Sequence, residues 1–272
     1  MTWLPATPLL SPGTAFLLGA GVSIAIMVVT WLIQCRTRNA GIVDTVWGFT
    51  VVAPAVAVAL GSITQASFVG PALMVACILI WALRLAVHLH SRYQPAVEDG
   101  RYAALRAEWG DQAQVRMLRF YLMQALGSFL LALPLVVIAT APPSGLLISV
   151  GFAALVLLSV TLESVADAQL AAYKRQANRP GGICDRGLWA WSRHPNYFFE
   201  WTAWVGFALW ALAVGSFPLS LMALVAPVMM YHFLVNVTGV RPTEEHLARS
   251  RPEAFAAYAA QVPAFFPRPP RR

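Results

Sequence analysis

The chain has 272 residues, of which 58% are hydrophobic and only 11% charged, with a formal net charge of +7. A mean hydropathy of +0.63 sets it far from the roughly 25% charged composition of soluble domains, which excludes an ordinary soluble enzyme. The basic residues hug the ends of apolar runs instead of forming a tail, so they read as membrane topology and headgroup contact, and a nucleic-acid partner is not expected.

Seven apolar runs follow one another: 13–34, 46–60, 67–89, 118–138, 146–165, 198–214 and 219–237. A spanning helix needs about 20 apolar residues, so the short second and sixth runs must be tilted, deep in the bundle or lengthened by their flanks. The first run lacks the basic start and small-residue cleavage site of a signal peptide and is read as retained. All 19 Lys and Arg residues fall into four clusters, at 36–38, 84–119, 174–193 and 241–272, while 1–11, 61–65, 141–144 and 215–216 carry no charge. Cationic loops stay in the cytoplasm. The pattern therefore predicts an all-α integral membrane protein, a seven-transmembrane helical bundle with its amino terminus outside and its carboxyl terminus cytoplasmic.

Residues 1–272 are expected to form a single polytopic domain. Its loops 90–117 and 174–195 and its tail 238–272 would make the cytoplasmic side. Long connections in a compact protein are usually functional or disordered, and these hold Tyr93, Tyr102, Trp109, Trp189, Trp191 and Tyr258, too many aromatics for disorder. The tail reads as one amphipathic helix from Thr243 to Gln261, closed by the proline-rich 263–270. Of the three cysteines, Cys77 lies inside a span while Cys35 and Cys184 face a reducing compartment, so neither a disulfide nor a metal site is expected.

Ionisable groups inside spans are costly and are functional candidates by default. Asp44, Glu163, Asp167 and Glu200 qualify. Glu163, Asp167 and Lys174 share one helical face, either as an internal salt-bridge ladder or as a polar stripe lining a ligand channel. Asn196 and Glu200 form a second i,i+4 pair behind Arg193-His194-Pro195. The proline suits a first helical turn, and the helix start with its basic neighbours is either an anion site or a membrane-entry motif with Tyr197 at the interface. Arg179-Pro180-Gly181-Gly182 is a turn that would bring these two polar faces together. It is not a dinucleotide fingerprint. His88 and His90 read as interfacial, and His232 as a buried histidine able to bond a sugar or amide. Trp47, Trp81 and Trp204 could wall an apolar cavity.

The stretch Gly187-Leu-Trp-Ala-Trp-Ser-Arg-His-Pro-Asn-Tyr-Phe-Phe-Glu200 resembles the cofactor motif of the membrane steroid 5α-reductases, and the chain is most similar to the bacterial branch of that superfamily. Supporting matches are Gly41-Ile-Val-Asp44 with Trp47-Gly48, Trp81 with Arg84-Leu85, Glu98-Asp-Gly-Arg-Tyr102, and Val237-Thr-Gly-Val240. The resemblance implies a seven-helix bundle in the bacterial inner (cell) membrane that binds NADPH from the cytoplasm. It implies reduction of a carbon–carbon double bond conjugated to a ketone, as in 3-oxo-Δ4 steroids, the apolar substrate coming from the lipid phase. The implied cofactor residues are Glu163, Asp167 and Lys174, then Arg193, His194, Asn196, Tyr197 and Glu200. Arg92, Arg101 and Arg241 are phosphate partners by position and charge.

In the family, a carboxylic side chain on the second helix and a tyrosine on the third act at the ketone oxygen. Here the corresponding positions hold Asp44 and Trp81, with Trp47 beside them. A tryptophan N–H donates a hydrogen bond but delivers no proton, so Asp44 is either the acid or simply an ion-pair partner of Arg84 or Arg38.

A rival resemblance is to isoprenylcysteine and phospholipid methyltransferases, which also use Arg-His-Pro-x-Tyr and whose carboxyl-terminal signature is similar to Arg241-Pro-Thr-Glu244-Glu245. It would imply S-adenosylmethionine. Asn196 and Glu200 and the excess of arginine favour the reductase. A non-catalytic lipid binder or carrier is the third reading, but no repeat symmetry marks one.

Overall fold

The structure is a computed structural model that describes residues 7–64, 67–175 and 182–270. Arg179, Pro180 and Gly181 of the expected turn, Gln65, and the start of the uncharged amino-terminal segment lie outside the described residues. Among those described, no strand occurs. Six helices are long and apolar enough to cross a membrane, and a bent pair makes a seventh. The chain groups into two compact units, Met1–Ala153 with Leu209–Val225 and Ala154–Ala208 with Ala226–Arg272.

In the first unit, α1 (Pro12–Thr37) begins with Ser11 accepting the Thr14 N–H and with Pro12 in the first turn, and it ends at Arg38 in the left-handed region (φ 57°). The caps answer the orphan amides that every helix start presents. Next, α2 (Ile42–Ser62) and α3 (Val69–His90) complete an antiparallel succession of spans. The second run does recruit its flanks, which brings α2 to 21 residues. Gly19 of α1 lies so close to α2 that an added Cβ would meet Pro54 Cα at 2.4 Å. Ser23 Oγ donates to the Thr50 carbonyl (2.8 Å), and Thr50 and Ser128 share a 2.7 Å hydroxyl bond. Small residues and paired hydroxyls are how helices associate where lipid removes the hydrophobic incentive.

The expected loop 90–117 is largely helical, because α4 (Gly100–Trp109) occupies it with Asp99 capping Arg101 N. Then α5 (Ala113–Leu131) and α6 (Leu133–Thr140) form the pair bent by 40°. Pro134 sits at the joint and cannot continue the backbone ladder.

From the second unit come most of α7 (Leu146–Arg175) and α8 (Pro195–Val214). The last span changes character along its length: a 3₁₀ stretch Leu219–Leu224, then α9 (Val225–His232), then a π turn Phe233–Val237. Gly239 ends it, since a Cβ there would meet the Leu234 carbonyl oxygen at 2.2 Å. The tail is two helices, α10 (Val240–Ser250) and α11 (Pro252–Gln261), instead of the single expected one. Arg251 leaves the helical region (φ −147°, ψ 59°) ahead of Pro252, as the residue before a proline tends to do.

Candidate functional site

The polar groups of α7 and α8 meet. Asn196 Nδ2 donates to Asp167 Oδ1 at 3.0 Å, while Asn196 Oδ1 is buried with no hydrogen-bond partner. One turn further along α8, Glu200 is 6% exposed and accepts the Trp204 indole N–H at 3.1 Å. Glu163, one turn before Asp167, is 5% exposed. Lys174 stands exposed at the far end of α7. Trp204 is therefore a partner of Glu200 and not a free cavity wall, a relation that the i,i+4 spacing could have revealed.

The segment before α8 is pinned to α7. Gln169 Oε1 accepts the Leu188 N–H (2.9 Å), and the Trp189 indole donates to the Ala166 carbonyl (2.9 Å). Gly187 has φ +60°, and a Cβ there would meet Gln169 Oε1 at 2.6 Å. A glycine is required on both counts.

Arg193 and His194 both meet Glu244 of the tail. Arg193 Nε and Nη2 fork onto Glu244 (2.7 and 3.1 Å), and its Nη1 donates to the Val262 and Ala259 carbonyls (2.7 and 3.3 Å). His194 Nε2 lies 3.1 Å from Glu244 Oε1, and its ring stacks on Tyr197 with planes 6° apart. The guanidinium, which the resemblance counts among the cofactor residues, is thus engaged by the tail. The helix start is likewise covered: Ser192 Oγ donates to the Phe265 carbonyl, Arg193 N to the Pro263 carbonyl and Arg268 N to the Trp191 carbonyl, each at 2.9 Å. Tyr258 Oη donates to the Trp189 carbonyl at 2.6 Å. Glu244, the hub of this docking, was hidden by its 51-residue separation from Arg193. Arg241 pairs with Glu245 of its own helix (2.9 Å) and is exposed.

The first unit holds a second polar cluster. Asp44 Oδ2 accepts from Arg101 Nη2 at 2.7 Å, and Asp44 Oδ1 accepts from Tyr102 Oη. The partner expected among Arg84 and Arg38 is thus Arg101, because α4 carries it to the start of α2. Arg101 is also bonded to Asp99 (3.0 Å), so it too is engaged within the protein. That bond, helped by the backbone N–H and charge of Arg101 and by the charge of Arg92, outweighs burial and holds the Asp99 carboxyl below its ordinary range. Arg92 itself is exposed. Tyr102 is the residue that sequence reasoning left without a role; its signal was the Glu98-to-Tyr102 match. Trp47 and Trp81 meet edge to face, with ring centroids 6.2 Å apart, and Trp81 is fully buried.

A cavity of about 550 Å³ opens between Tyr173, Asp185, Tyr258 and Gln261, and none of the predicted site residues lines it. The chemistry of the two polar clusters is the better guide to function, since the resemblance places its site residues there and none of them lines that cavity. His232 is exposed, with Asn236 Nδ2 3.4 Å from its Nδ1, so the buried role expected for it is corrected. Among the described residues no group of three or more His, Cys, Asp or Glu side chains could hold a metal ion.

Long apolar helices that bury carboxylates and amides define the class, a multi-pass helical membrane protein. Residues 30–262 match the family described as Protein of unknown function (DUF1295), and the chain belongs to that family. Comparison with curated proteins and with solved structures finds no match.

Proposed function

We propose that the protein is an NADPH-dependent reductase of the carbon–carbon double bond of an apolar enone, a 3-oxo-Δ4 steroid being the first candidate. One observation carries the reading: Asp167 takes one end of the Asn196 amide and leaves its buried Oδ1 as an unspent acceptor, one turn from the buried Glu200. Buried polar atoms without partners are rare in finished structures. Acceptors of this kind fit the carboxamide and hydroxyl donors of a nicotinamide nucleoside. They do not fit phosphates, for which the resemblance implies Lys174 at the exposed end of α7.

When bound, NADPH supplies a hydride. The chain's own contribution is to orient and to exclude water. Asp167 fixes the Asn196 amide, Trp204 fixes Glu200, and the surrounding apolar helices keep the site dry, where hydrogen bonds to a ligand count for more. At the substrate's ketone oxygen the resemblance assigns Asp44. Asp44 is an acceptor at both oxygens, from Arg101 and from the Tyr102 hydroxyl, so a proton for the ketone oxygen would pass through that Tyr102–Asp44 bond, where the family's tyrosine position holds Trp81.

The methyltransferase alternative draws no support from Glu244, whose two oxygens are bound to Arg193 and His194. A carboxylate so neutralised is a poor host for a sulfonium. In the proposed topology the amino terminus is outside, the carboxyl terminus is cytoplasmic, and the protein resides in a bacterial inner membrane with lipids as neighbours.

The test is ligand-induced stabilisation of the purified protein, followed by turnover. NADPH is expected to raise the melting temperature more than NADH or S-adenosylmethionine does. Glu200→Gln and Asn196→Ala should abolish that rise, and Asp44→Asn should keep it but lose steroid reduction. Stabilisation by S-adenosylmethionine alone would overturn the reading.

A further inference from the structure

Asp44 and Tyr102 meet although they stand 58 residues apart, one on α2 and the other on α4. The short helix α4 has little of its own to hold it in register: Tyr102 is its one buried residue, with Leu105 and Trp109 partly so. The segment that leads into it has less, since Gln94, Pro95, Ala96 and Val97 are all exposed. Apolar burial does not fix that segment, so polar ties must. The central one is Asn39, which stands in the turn between α1 and α2 and is 2% exposed. Both ends of its amide are used. Its Oδ1 accepts the Gly41 N–H at 3.1 Å, an Asx turn that shapes the start of α2. Its Nδ2 donates to the Gln94 carbonyl at 2.8 Å, with the Val97 and Pro95 carbonyls at 3.3 and 3.4 Å.

The neighbouring Ala40 is held as well, its N–H by Glu98 Oε1 and its carbonyl by Tyr121 Oη, each at 2.8 Å. Asp99 comes next in the chain and caps α4 by accepting the Arg101 N–H at 2.9 Å. One buried amide therefore joins the backbone just ahead of Asp44 to the backbone just ahead of Tyr102. We propose that Asn39 is a positioning residue: it holds Tyr102 on Asp44 in the register that proton transfer between them requires. For its effect on turnover the inference rests on the reductase reading. In that reduction the β-carbon gains a hydride from NADPH, leaving NADP⁺, and the ketone oxygen gains a proton drawn from water through the Tyr102–Asp44 bond. The enol so formed relaxes to the saturated ketone. A misplacement of about 1 Å in such a pair can cost on the order of a hundredfold in rate.

The experiment reads position and turnover separately, both on the full chain in nanodiscs. With ¹³Cζ-labelled tyrosine, Tyr102→Phe identifies the Tyr102 resonance by its loss, and Asp44→Asn marks where that resonance falls without the carboxylate. Asn39→Ser keeps a hydroxyl able to accept the Gly41 N–H but is too short to reach the 94–97 carbonyls. It is expected to move the Tyr102 resonance toward its Asp44→Asn position. It should also lower kcat for a 3-oxo-Δ4 steroid by about ten- to a hundredfold and raise the solvent deuterium isotope effect, with KM and the stabilisation by NADPH unchanged. Asn39→Ala should do the same, so that either variant decides if the other misfolds. Ser23→Ala is the control for stability alone: it deletes an equally buried bond, 2.8 Å to the Thr50 carbonyl, and should lower the melting temperature without moving the resonance or kcat. A Tyr102 resonance that stays in place in Asn39→Ser would overturn the proposal, as would a kcat loss shared by Ser23→Ala. If the unmodified chain reduces no enone, the reductase reading falls, and the resonance alone decides whether Asn39 holds the pair.

Discussion

Glu98 is a compact case of how this chain manages charge at the edge of a membrane. Burial pushes its carboxyl upward, but the Arg106 fork, the Ala40 N–H and the Arg106 charge outweigh that, and the group is held below the ordinary glutamate range. The contacts are short, 2.8 Å from Arg106 Nη2 and 2.8 Å from Ala40 N, and the Glu98 side chain is only 13% exposed. The same guanidinium reaches Gln34 Oε1, and Gln34 Nε2 reaches Gln114, so one carboxylate anchors the start of α2, the end of α1 and the start of α5. Because the folded state binds the proton less readily than the unfolded chain, the stabilisation is complete above the ordinary glutamate pKa of about 4.3 and is lost as pH falls through the lower folded value. The melting temperature of the detergent-solubilised protein should therefore fall on acidification below about pH 4.5. Glu98→Gln should cost about 1–3 kcal/mol at neutral pH and flatten that acid limb. A mutant with an unchanged acid limb would assign the pH dependence to other carboxylates. At this scale the sequence was a partial guide. Burial of Glu163 and Glu200 followed from finding carboxylates in apolar runs, whereas the pairing of Asp44 with Arg101 and Tyr102 depends on a helix between the third and fourth spans that no apolar period announces.

Among the elements, the tail helices change most between sequence and structure. The amphipathic signal of α10 was legible, but not what its polar face is for. Glu244 meets Arg193 and His194, and α11 presents its last carbonyls to the same guanidinium. Behind that contact, Phe265 and Phe266 pack on Phe198, Trp201 and Tyr231 with ring centroids 5.3–6.2 Å apart. Aromatic pairs of this geometry add about 0.5–1.5 kcal/mol each beyond their burial. The Arg193 and His194 side chains are 13% and 4% exposed, so removing their shared partner leaves buried cationic and polar groups uncompensated. Glu244→Ala should destabilise the protein by about 3–5 kcal/mol, read as a lower melting temperature and as protease cleavage between α9 and α10. Glu244→Gln, which keeps the acceptor oxygen, should lose less. If the tail stays protected in Glu244→Ala, the aromatic cluster and the backbone pairing hold it unaided. The spans themselves were legible because their signal is composition over some 20 residues. Their exact ends were not, since caps, the Pro134 bend and the π turn are set by single residues.

For the molecule as a whole, the proposed orientation in the bilayer rests on where the cations are in the sequence. Along the sequence every Lys and Arg falls in one of four clusters, and the stretches that alternate with them carry none. Reversing the chain would translocate all four basic clusters, against the bias that retains Lys and Arg of short loops in the cytoplasm. Two of these cations are paired in the folded chain, Arg193 with Glu244 and Arg106 with Glu98, while the bias follows Lys and Arg and owes little to Asp and Glu. A fluorescent-protein fusion after Pro270 should therefore fold and emit in bacterial cells, and an alkaline-phosphatase fusion at Pro143 should be active. Function must follow the same sidedness under the proposed reading. Inside-out membrane vesicles should consume added NADPH in the presence of a 3-oxo-Δ4 steroid, and right-side-out vesicles should not until they are permeabilised. The reverse fusion pattern would refute the topology, whereas the expected pattern with equal NADPH consumption in both vesicle types would leave the topology standing and refute the placement of the cofactor residues on the cytoplasmic side.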